Sequence, residues 1–529
     1  MGSRASPSEQ AAGRPLAAVP SETWAAYLAR QRWFGAKARR IARVRLRDQA
    51  VLPGRGLWLA LLQVEYAEGP AETYALPLAA AGDASAEVAA VGEGRDRLVL
   101  HDALADAGAA ALVEAIAGER SVAAAHGEFR FRKTEEFVRL LPGPVTSVRP
   151  ITAEQSNTSV VVNGAAILKV FRRLEWGPNP DFEIPDFLTR LTRFRGVPVL
   201  AGSVEYRDGE GRLATVGTLQ AFVPEALDGW GYTLAYLGEV FRAVAEKGEA
   251  ADPGAAVRRA AAGYLAELRA LGRLTAELHL ALASRPDVPA FAPEPITSAE
   301  VIGWVAGMQA HLVHVADVVR ERLTAYPEEV QASARTFLAE ADRFRRALGG
   351  LQVLAGAGVL KTRHHGDYHL GQVLRTREGF VILDFEGEPA YPLEVRRAKQ
   401  CPLRDVGGML RSFNYAAHAG LDAFVAAERP APELVARLGA AAEAWEAAAR
   451  DAFLEAYLAT AREGGAAFLP PGRDDVDLVI AVYELDKAIY EVFYEIQNRP
   501  RWLSIPLAGL RRAGWRLTSE PSDRSRTGR

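Results

Sequence analysis

The chain has 529 residues, 49% of them hydrophobic, and this length exceeds what a single core usually serves. Its 63 basic and 66 acidic residues nearly balance, so no polyanionic partner such as nucleic acid is indicated. The single cysteine, Cys401, excludes an intramolecular disulfide, and no apolar run approaches the ~18 residues of a membrane span. We therefore expect a cytoplasmic protein of several domains, with no nucleic-acid and no membrane partner.

The first part of the chain predicts a small β-rich domain. Residues 1–20 are polar and lack apolar periodicity, which predicts a disordered tail, and the same holds for 519–529. A short helix then precedes the alternating segments "VRLRDQAVL", "LWLALLQVEYA" and "ETYALPLA", which predict strands, and an Ala-rich helix follows. We predict that residues 21–135 form an N-terminal cap domain.

Residues 136–225 predict an antiparallel sheet that carries one helix. Strand-like segments return in "VTSVRPIT", "TSVVVNGAAILKVFR" and "LATVGTLQAFVP", and Asn163-Gly164 is a tight-turn signal inside the second. From 226 to 518 apolar residues recur at intervals of three and four, which predicts helices, except for short strands within 359–388. The expected fold class is α+β, with a β-rich N-terminal half and a mostly helical C-terminal half.

That β interruption holds the motif "HGDYHLGQVL", followed by "VILDFEGEP". In a kinase-type site one aspartate orients the acceptor hydroxyl and takes its proton, an amide oxygen five residues later binds Mg²⁺, and an aspartate on the next strand binds Mg²⁺ as well. Asp367, Gln372 and Asp384 have this spacing. Three histidines, His364 just before this motif and His365 and His369 within it, are weaker candidates for a metal site, because no second cluster of ligands in the sequence would complete it.

These motifs resemble the aminoglycoside-phosphotransferase-like kinases, relatives of the protein kinases, and the glutamine at the metal position resembles their maltokinase branch. Similar segments occur in order along the chain: "RQRWFGAKARRI", "EQSNTSVVVNGAAILKVFRRLEWGPNPDFEI", the catalytic segment, "CPLRDVGGMLRSFNYAA" and "YELDKAIYEVFYEIQNRPRWLSIPLAGL". The resemblance implies a bilobal protein-kinase-like fold with an added cap. It also implies ATP and Mg²⁺ as cofactors, maltose as the acceptor, maltose 1-phosphate as the product and a trehalose synthase as partner.

The nucleotide needs a cation and hydrogen-bond donors from the β-rich half. Lys169 in "ILKVF" is placed to bridge the α- and β-phosphates. It needs a carboxylate on the following helix, for which we prefer Glu183, with Glu175 as the competitor. The other residues assigned to the nucleotide are Ser156, Asn157 and Thr158 in a polar turn, and Gln220, Phe222 and Val223 in the connection to the helical half.

By resemblance the sugar binds in the helical half, where aromatic faces would pack on pyranose rings and charged groups would bind hydroxyls. The assigned residues are Arg404, Asp405, Glu484, Lys487, Tyr490, Glu491 and Trp502. Helical spacing puts Glu484, Lys487 and Glu491 on one stripe.

Two alternatives stay open at this point. A kinase of the same fold could act on another sugar or on an amino sugar such as glucosamine, through a different acceptor pocket. A non-catalytic pseudokinase is the second alternative, and it predicts the loss of Lys169, Asp367 or Asp384. All three are present in the sequence.

Overall fold

The computed structural model describes residues 14–80, 86–92, 97–105, 107–151, 156–246 and 252–510. The chain divides into two compact units. The first unit runs to Leu191 and includes 197–225 and 391–393, and the second holds 192–196, 226–390 and the chain from Glu394 onward. The predicted α+β class, with strands concentrated in the N-terminal half and helices in the C-terminal half, is confirmed. No helix of the described residues combines the length and apolar character that a membrane crossing requires.

The first unit is built on two antiparallel sheets. Its strands are β1 (Ile41–Leu52), β2 (Leu57–Tyr66), β3 (Glu72–Ala79), β4 (Glu87–Val91), β5 (Leu98–Asp102), β6 (Ser121–Ala123), β7 (Gly127–Lys133), β8 (Val148–Ile151), β9 (Asn157–Val162), β10 (Ala166–Phe171), β11 (Arg173–Leu174), β12 (Leu200–Asp208) and β13 (Leu213–Ala221). Its helices are α1 (Arg14–Ala17), α2 (Ser21–Arg30), α3 (Ala107–Ala117), α4 (Phe137–Leu140) and α5 (Pro180–Leu191). The first sheet has the order β1-β2-β3-β5-β4 with β11 beside β3, and the second has the order β6-β7-β12-β13-β10-β9-β8.

Strand β2 shows why the first sheet is buried on both faces. Successive side chains of a strand point to opposite faces, and every residue from 57 to 62 is apolar. Leu59 and Leu61 therefore enter the core shared with the second sheet and α3, whereas Trp58 and Leu62 enter a separate core beneath α2. Burial of each leucine stabilises the unit by about 2 kcal/mol.

Two boundaries differ from the sequence prediction. Helix α1 and the fully buried Leu16 lie inside the predicted tail of residues 1–20, so ordered chain begins earlier than expected. Residues 1–13 and the predicted tail 519–529 lie outside the described residues. Strands β6 and β7 were assigned to the cap, but β7 pairs with β12 from Gly127 to Lys133 and belongs to the second sheet.

The hairpin between β9 and β10 confirms the turn predicted at Asn163-Gly164. Both residues have positive φ, 51° and 66°, as a two-residue hairpin turn requires, and glycine adopts this conformation without strain. The turn fixes the register that places Lys169 between Ser159 of β9 and Thr218 of β13.

The remaining elements are mostly helices. They are α6 (Gly229–Ala245), α7 (Pro253–Ala260), α8 (Ala262–Leu282), α9 (Ser298–Arg322), α10 (Glu328–Leu348), α11 (Leu393–Arg397), α12 (Leu403–Glu428), α13 (Pro432–Glu463) and α14 (Arg473–Asn498). The strands are β14 (Leu227–Asp228), β15 (Glu294–Pro295), β16 (Leu360–Lys361), β17 (Val373–Arg375) and β18 (Phe380–Ile382). Strands β14, β17 and β18 form a small antiparallel sheet, and its β17–β18 hairpin joins the two halves of the sequence motif.

Candidate active site

The β17–β18 hairpin brings the two halves of the motif together. Val373 pairs with Ile382, and the backbone N–H of Leu383 donates to the carbonyl of Gln372 at 2.9 Å. The Gln372 amide in turn donates to Asp384 Oδ2 at 3.0 Å. The two residues assigned to a metal from their spacing therefore lie side by side.

Asp384 has a backbone conformation that suits a functional position. Its φ of 61° lies in the left-handed region, which residues with a Cβ rarely occupy and which is often found at functional sites. Carboxylate and carboxamide oxygens are the ligands that Mg²⁺ prefers. The contacting Asp384 and Gln372 side chains therefore fit a divalent cation.

Asp405 holds the loop that carries the proposed catalytic residue. Its Oδ2 accepts the backbone N–H of His365 at 2.7 Å, and its Oδ1 accepts that of Gly366 at 2.9 Å. His279 Nε2 lies 3.1 Å from the same carboxylate. Burial by itself raises the pKa of Asp405, but the hydrogen bond from His279 and the neighbouring histidines outweigh it, so that pKa lies well below its usual range.

Gly366 is required by the same loop. It has φ of 90°, and a Cβ there would lie 3.3 Å from the Cα of Gly387, which comes three residues after Asp384 in the chain. The close approach of these two glycines lets the loop before Asp367 pass directly over the segment after Asp384.

Three histidines in and just before the motif lie in different environments. His365 donates from Nε2 to the carbonyl of Leu383 at 2.8 Å, which ties the loop to the residue before Asp384. His364 is buried, and burial lowers its pKa to about 4. His369 is more exposed, accepts the Gly371 N–H through Nδ1, and places Nε2 3.7 Å from Asp367.

A cavity of about 500 Å³ opens beside Asp367 within the second unit. Its lining mixes carboxylates, basic groups and aromatic rings, and includes Asp367, Glu388, Lys487, Tyr490, Glu491 and Trp502. Four of the seven residues assigned to the sugar from sequence thus line the same space as the proposed base. Trp230, Glu388 and Tyr415 also line it and were missed. The sequence contains a signal for Glu388, because it belongs to the "DFEGEP" motif, but none for Trp230 or Tyr415.

The other three assigned sugar residues do not line this cavity. Asp405 is 2% exposed and both of its oxygens hold the catalytic loop, so it positions that loop instead of meeting a sugar. Arg404 donates to Gln400 at 3.1 Å. Glu484 is buried against Arg450, with one contact of 3.0 Å. Helical spacing identified the stripe correctly but not which members reach the cavity.

A chain of charged contacts joins the base to helix α14. Lys487 Nζ lies 2.9 Å from Asp367 Oδ1 and 3.2 Å from Glu388 Oε2, and Tyr490 donates to Glu388 Oε1 at 2.6 Å. Burial raises the pKa of Asp367, but Lys487 and His369 lower it more, so that pKa lies well below its usual range. Burial lowers the pKa of Lys487, while Asp367 and Glu388 together raise it above its usual range. Both groups are therefore charged at neutral pH.

Lys169 in the first unit also has an aspartate partner. Its Nζ lies 2.9 Å from Asp181 Oδ2, in a contact that is largely buried on both sides. Asp181 stands in the first turn of α5, where its N–H donates to Asn179 Oδ1 at 2.9 Å. Glu183, two residues later, was predicted from sequence as this carboxylate, and Asp181 was not named. Which acidic residues of the first turn point toward β10 depends on where the helix begins, and the sequence does not determine that position.

Two of the three residues predicted to form a polar turn near Lys169 lie at the start of strand β9. Ser156 precedes the strand, whereas Asn157 and Thr158 open it and pair with Phe171 and Val170. The hydroxyl of Thr158 accepts Arg172 Nε at 2.8 Å.

The predicted adenine-side residues lie at and after the end of β13. Gln220 is within the strand and donates from Nε2 to the carbonyl of Asp181 at 3.3 Å. The N–H of Phe222 donates to the Ala165 carbonyl at 2.8 Å, so this amide is already used in the sheet. Val223 follows as the chain leaves the sheet.

Comparison with known proteins matches the first unit to one family model. Residues 27–106 match the maltokinase N-terminal cap domain. This range covers the first sheet from α2 to the end of β5, and it stops before the strands that join the second sheet.

Two curated relatives cover most of the chain. The glucosamine kinase of Mycolicibacterium smegmatis (strain ATCC 700084 / mc(2)155) is 30% identical over 370 residues, which are 68% of this chain and 78% of the relative. The glucosamine kinase of Streptacidiphilus jiangxiensis is 28% identical over 367 residues, which are 69% of this chain and 72% of the relative.

Solved structures share the fold at lower identity. A glucosamine kinase in complex with glucosamine, ADP and inorganic phosphate is 23% identical, with a TM-score of 0.63, and the match covers 94% of this chain and 97% of the other. A second crystal form of a glucosamine kinase is 24% identical, with a TM-score of 0.65 and coverage of 94% and 98%.

Proposed function

The chain belongs to the family of protein-kinase-like sugar kinases that includes the bacterial glucosamine kinases, and we propose that it phosphorylates the neutral disaccharide maltose to maltose 1-phosphate. The observation that carries the proposal is the cavity beside Asp367, in which the proposed base shares one space with the aromatic and charged residues of α14. The match of residues 27–106 to a maltokinase cap domain supports the same acceptor.

The size of the cavity supports an acceptor larger than one sugar ring. Pockets of about 300 to 1,000 Å³ hold drug-sized ligands, and the value here lies within that range. Tyr490 and Trp502 are part of the lining, and aromatic rings of this kind pack on the apolar sides of pyranoses. A two-ring sugar would use this space more fully than a monosaccharide.

The charges on the cavity wall away from Asp367 support a neutral acceptor. Glu491 is held by Arg411 at 2.7 Å, and Glu495 is held by Arg499 at 2.9 Å. Carboxylates that already have cationic partners bind sugar hydroxyls without needing a positive charge on the ligand.

Asp367 would act on the acceptor hydroxyl. Its carboxylate accepts a hydrogen bond from the anomeric hydroxyl, aims the oxygen at the γ-phosphorus of ATP and takes the proton late in the transfer. The low pKa of Asp367 agrees with this order, because a weakly basic carboxylate orients better than it deprotonates. Catalysis would then depend mainly on alignment and electrostatics.

The remaining roles follow from the family resemblance. Lys169, oriented by Asp181, would hold the α- and β-phosphates of ATP. Mg²⁺ bound by Gln372 and Asp384 would offset negative charge on the β- and γ-phosphates. Ser156, Asn157, Thr158, Gln220, Phe222 and Val223 stay proposed nucleotide contacts, with Glu183 as a nearby carboxylate.

A panel of sugars tests the proposal. Purified protein with Mg·ATP should release ADP fastest with maltose, and phosphorus NMR of the product should show a phosphate on the anomeric carbon. A higher kcat/KM for another sugar would reject maltose while keeping sugar phosphorylation. ADP release that no sugar stimulates would reject the catalytic proposal in favour of a pseudokinase.

Glucosamine is the second candidate acceptor. The curated relatives are named for it, and Asp367 and Glu388 share the single ammonium of Lys487, so this part of the cavity carries a net negative charge. An amino sugar could place its ammonium there. N-acetylglucosamine is the control, because acetylation removes the positive charge of the amino group. If that charge pairs with Asp367 and Glu388, acetylation should abolish activity; otherwise activity should remain.

A trehalose synthase is the partner that the resemblance implies. Purified trehalose synthase mixed with this protein should form a complex in size-exclusion chromatography. Separate elution of both proteins at micromolar concentration would reject a stable partnership.

A further inference from the structure

Lys487 reaches the proposed base from a distant part of the chain. It lies 120 residues after Asp367, yet its ammonium is 2.9 Å from Asp367 Oδ1. An acceptor hydroxyl bound to Asp367 would lie roughly 3 Å from the carboxylate, and its oxygen roughly 3 Å from the phosphorus that it attacks. An ammonium bound to the same carboxylate is therefore within reach of the acceptor oxygen and of the transferring phosphoryl group.

Two carboxylates share this one ammonium. Glu388 Oε2 lies 3.2 Å from Lys487 Nζ, and Tyr490 fixes the other oxygen of Glu388. A partly buried charge that loses its partner is costly. When Asp367 accepts the hydroxyl proton it becomes neutral, and Glu388 then keeps Lys487 paired. After proton transfer these three groups therefore carry one negative charge, on Glu388, and one positive charge, on Lys487.

The position of Lys487 is fixed by its helix. One turn before it, Glu484 is buried against Arg450 of α13, and one turn after it, Glu491 is held by Arg411 of α12. These two pairs attach α14 to both neighbouring helices. The flexible lysine stem therefore starts from a defined point, which a catalytic ammonium needs.

We propose, resting on the function proposed above, that Lys487 is a catalytic residue that donates to the transferring phosphoryl group, and that Glu388 is its positioning residue. The acceptor oxygen forms a bond to the γ-phosphorus while the bond from that phosphorus to the β,γ-bridging oxygen breaks. The electron pair of the broken bond leaves with ADP, and the hydroxyl proton goes to Asp367. Lys487 stays protonated throughout and offsets charge on the phosphoryl oxygens.

Lys487→Met tests this role by keeping the stem and removing the charge. We expect kcat to fall by about 10²- to 10³-fold, as when one oxyanion donor is removed, while KM for the sugar and for ATP changes less than threefold. Lys487→Arg should retain more of kcat than Lys487→Met. Glu388→Gln, with Lys487 still present, should lower kcat by roughly tenfold.

Lys361→Met is the matched control. Lys361 also bridges two carboxylates in the second unit, those of Glu294 and Glu300, but it does not line the cavity. This variant should keep the kcat of the unaltered protein. Thermal unfolding and ATP affinity, measured on each variant, identify any that misfolds.

Chemical rescue gives the decisive readout. In Lys487→Ala, added methylammonium should restore kcat with saturation, whereas Lys361→Ala should not respond. Absence of rescue in a folded, ATP-binding variant would overturn the proposal. So would a Lys487→Met variant whose sugar KM rises tenfold at unchanged kcat, because that result assigns Lys487 to sugar binding alone. If the unaltered protein phosphorylates no sugar, the underlying function is overturned. This assay is therefore done before any variant is made.

Discussion

Two lysine–aspartate pairs in this protein share one distance and differ in almost everything else. Lys169 and Asp181 in the first unit, and Lys487 and Asp367 in the second, both meet at 2.9 Å. The first pair joins residues 12 apart in sequence, and the second joins residues 120 apart. The first is a local strand-to-helix contact, whereas the second exists only because several helices pack around it. Two contacts of the same length can therefore depend on very different parts of the structure, one on neighbouring elements and the other on the packing of several helices.

The sharpest test of the long-range pair is Asp367→Asn. The amide cannot take the proton of the acceptor, so kcat should fall by about 10³-fold or more, while ATP affinity stays nearly unchanged. Initial rates and nucleotide titration measure the two quantities. A loss of less than tenfold would contradict the assignment of Asp367 as the base.

Arg411→Met tests the helix packing behind the long-range pair. It leaves Glu491 without its buried partner, which should cost about 3 kcal/mol in free energy of unfolding. Arg473→Gln on the same helix α14 is the control, since its pair with Asp477 is half exposed and should matter by less than about 1 kcal/mol. Urea denaturation measures both. Equal losses of stability in the two variants would show that the buried Arg411–Glu491 pair does not hold α14 in place.

The buried histidine beneath the catalytic loop gives a pH test. The folded pKa of His364 is about 4, below its ordinary value of 6.5, because the side chain is buried. The unfolded chain therefore binds the proton first, and stability falls as pH drops from about 6.5 to 4, by about 3 kcal/mol in total.

His364→Asn should flatten this dependence in urea denaturation between pH 7 and 4.5, and the exposed His126→Asn should leave it unchanged. If the unaltered protein and both variants show the same pH dependence of the free energy of unfolding, His364 is not its source.

The smallest expected effect concerns the local pair. Asp181→Asn should raise KM for ATP by roughly tenfold, because Lys169 loses the carboxylate that orients it. Glu183→Gln should change KM by less than twofold. A larger rise in KM for Glu183→Gln than for Asp181→Asn would identify Glu183 as the partner of Lys169, as predicted from the sequence.

The same contrast explains what the sequence could predict. The Asn163-Gly164 turn is a local signal and is confirmed as a hairpin turn. The spacing of Gln372 and Asp384 is local as well; the two side chains are in contact, and their binding of a metal stays a prediction. The contact between Lys487 and Asp367 has no local signature, so Lys487 could be assigned only to the sugar.

Asp405 shows the same limit from the other side. By resemblance Asp405 was assigned to the sugar, but whether its carboxylate faces a cavity or the backbone of His365 depends on the packing of α12. Trp230 and Tyr415 reach the cavity from separate helices and carry no pattern in the sequence.

Helix α14 and the residues just after it supply much of the cavity wall, from Lys487 to Trp502, whereas Gln372 and Asp384 come from a separate short hairpin. Under the proposed function, acceptor choice and phosphate chemistry are therefore encoded in different stretches of the chain. Exchange of the α14 segment between related enzymes should then redirect the reaction to a new sugar and leave the hairpin intact. Lys487 is the exception, because its proposed role joins both stretches, and it should be retained in any such chimera.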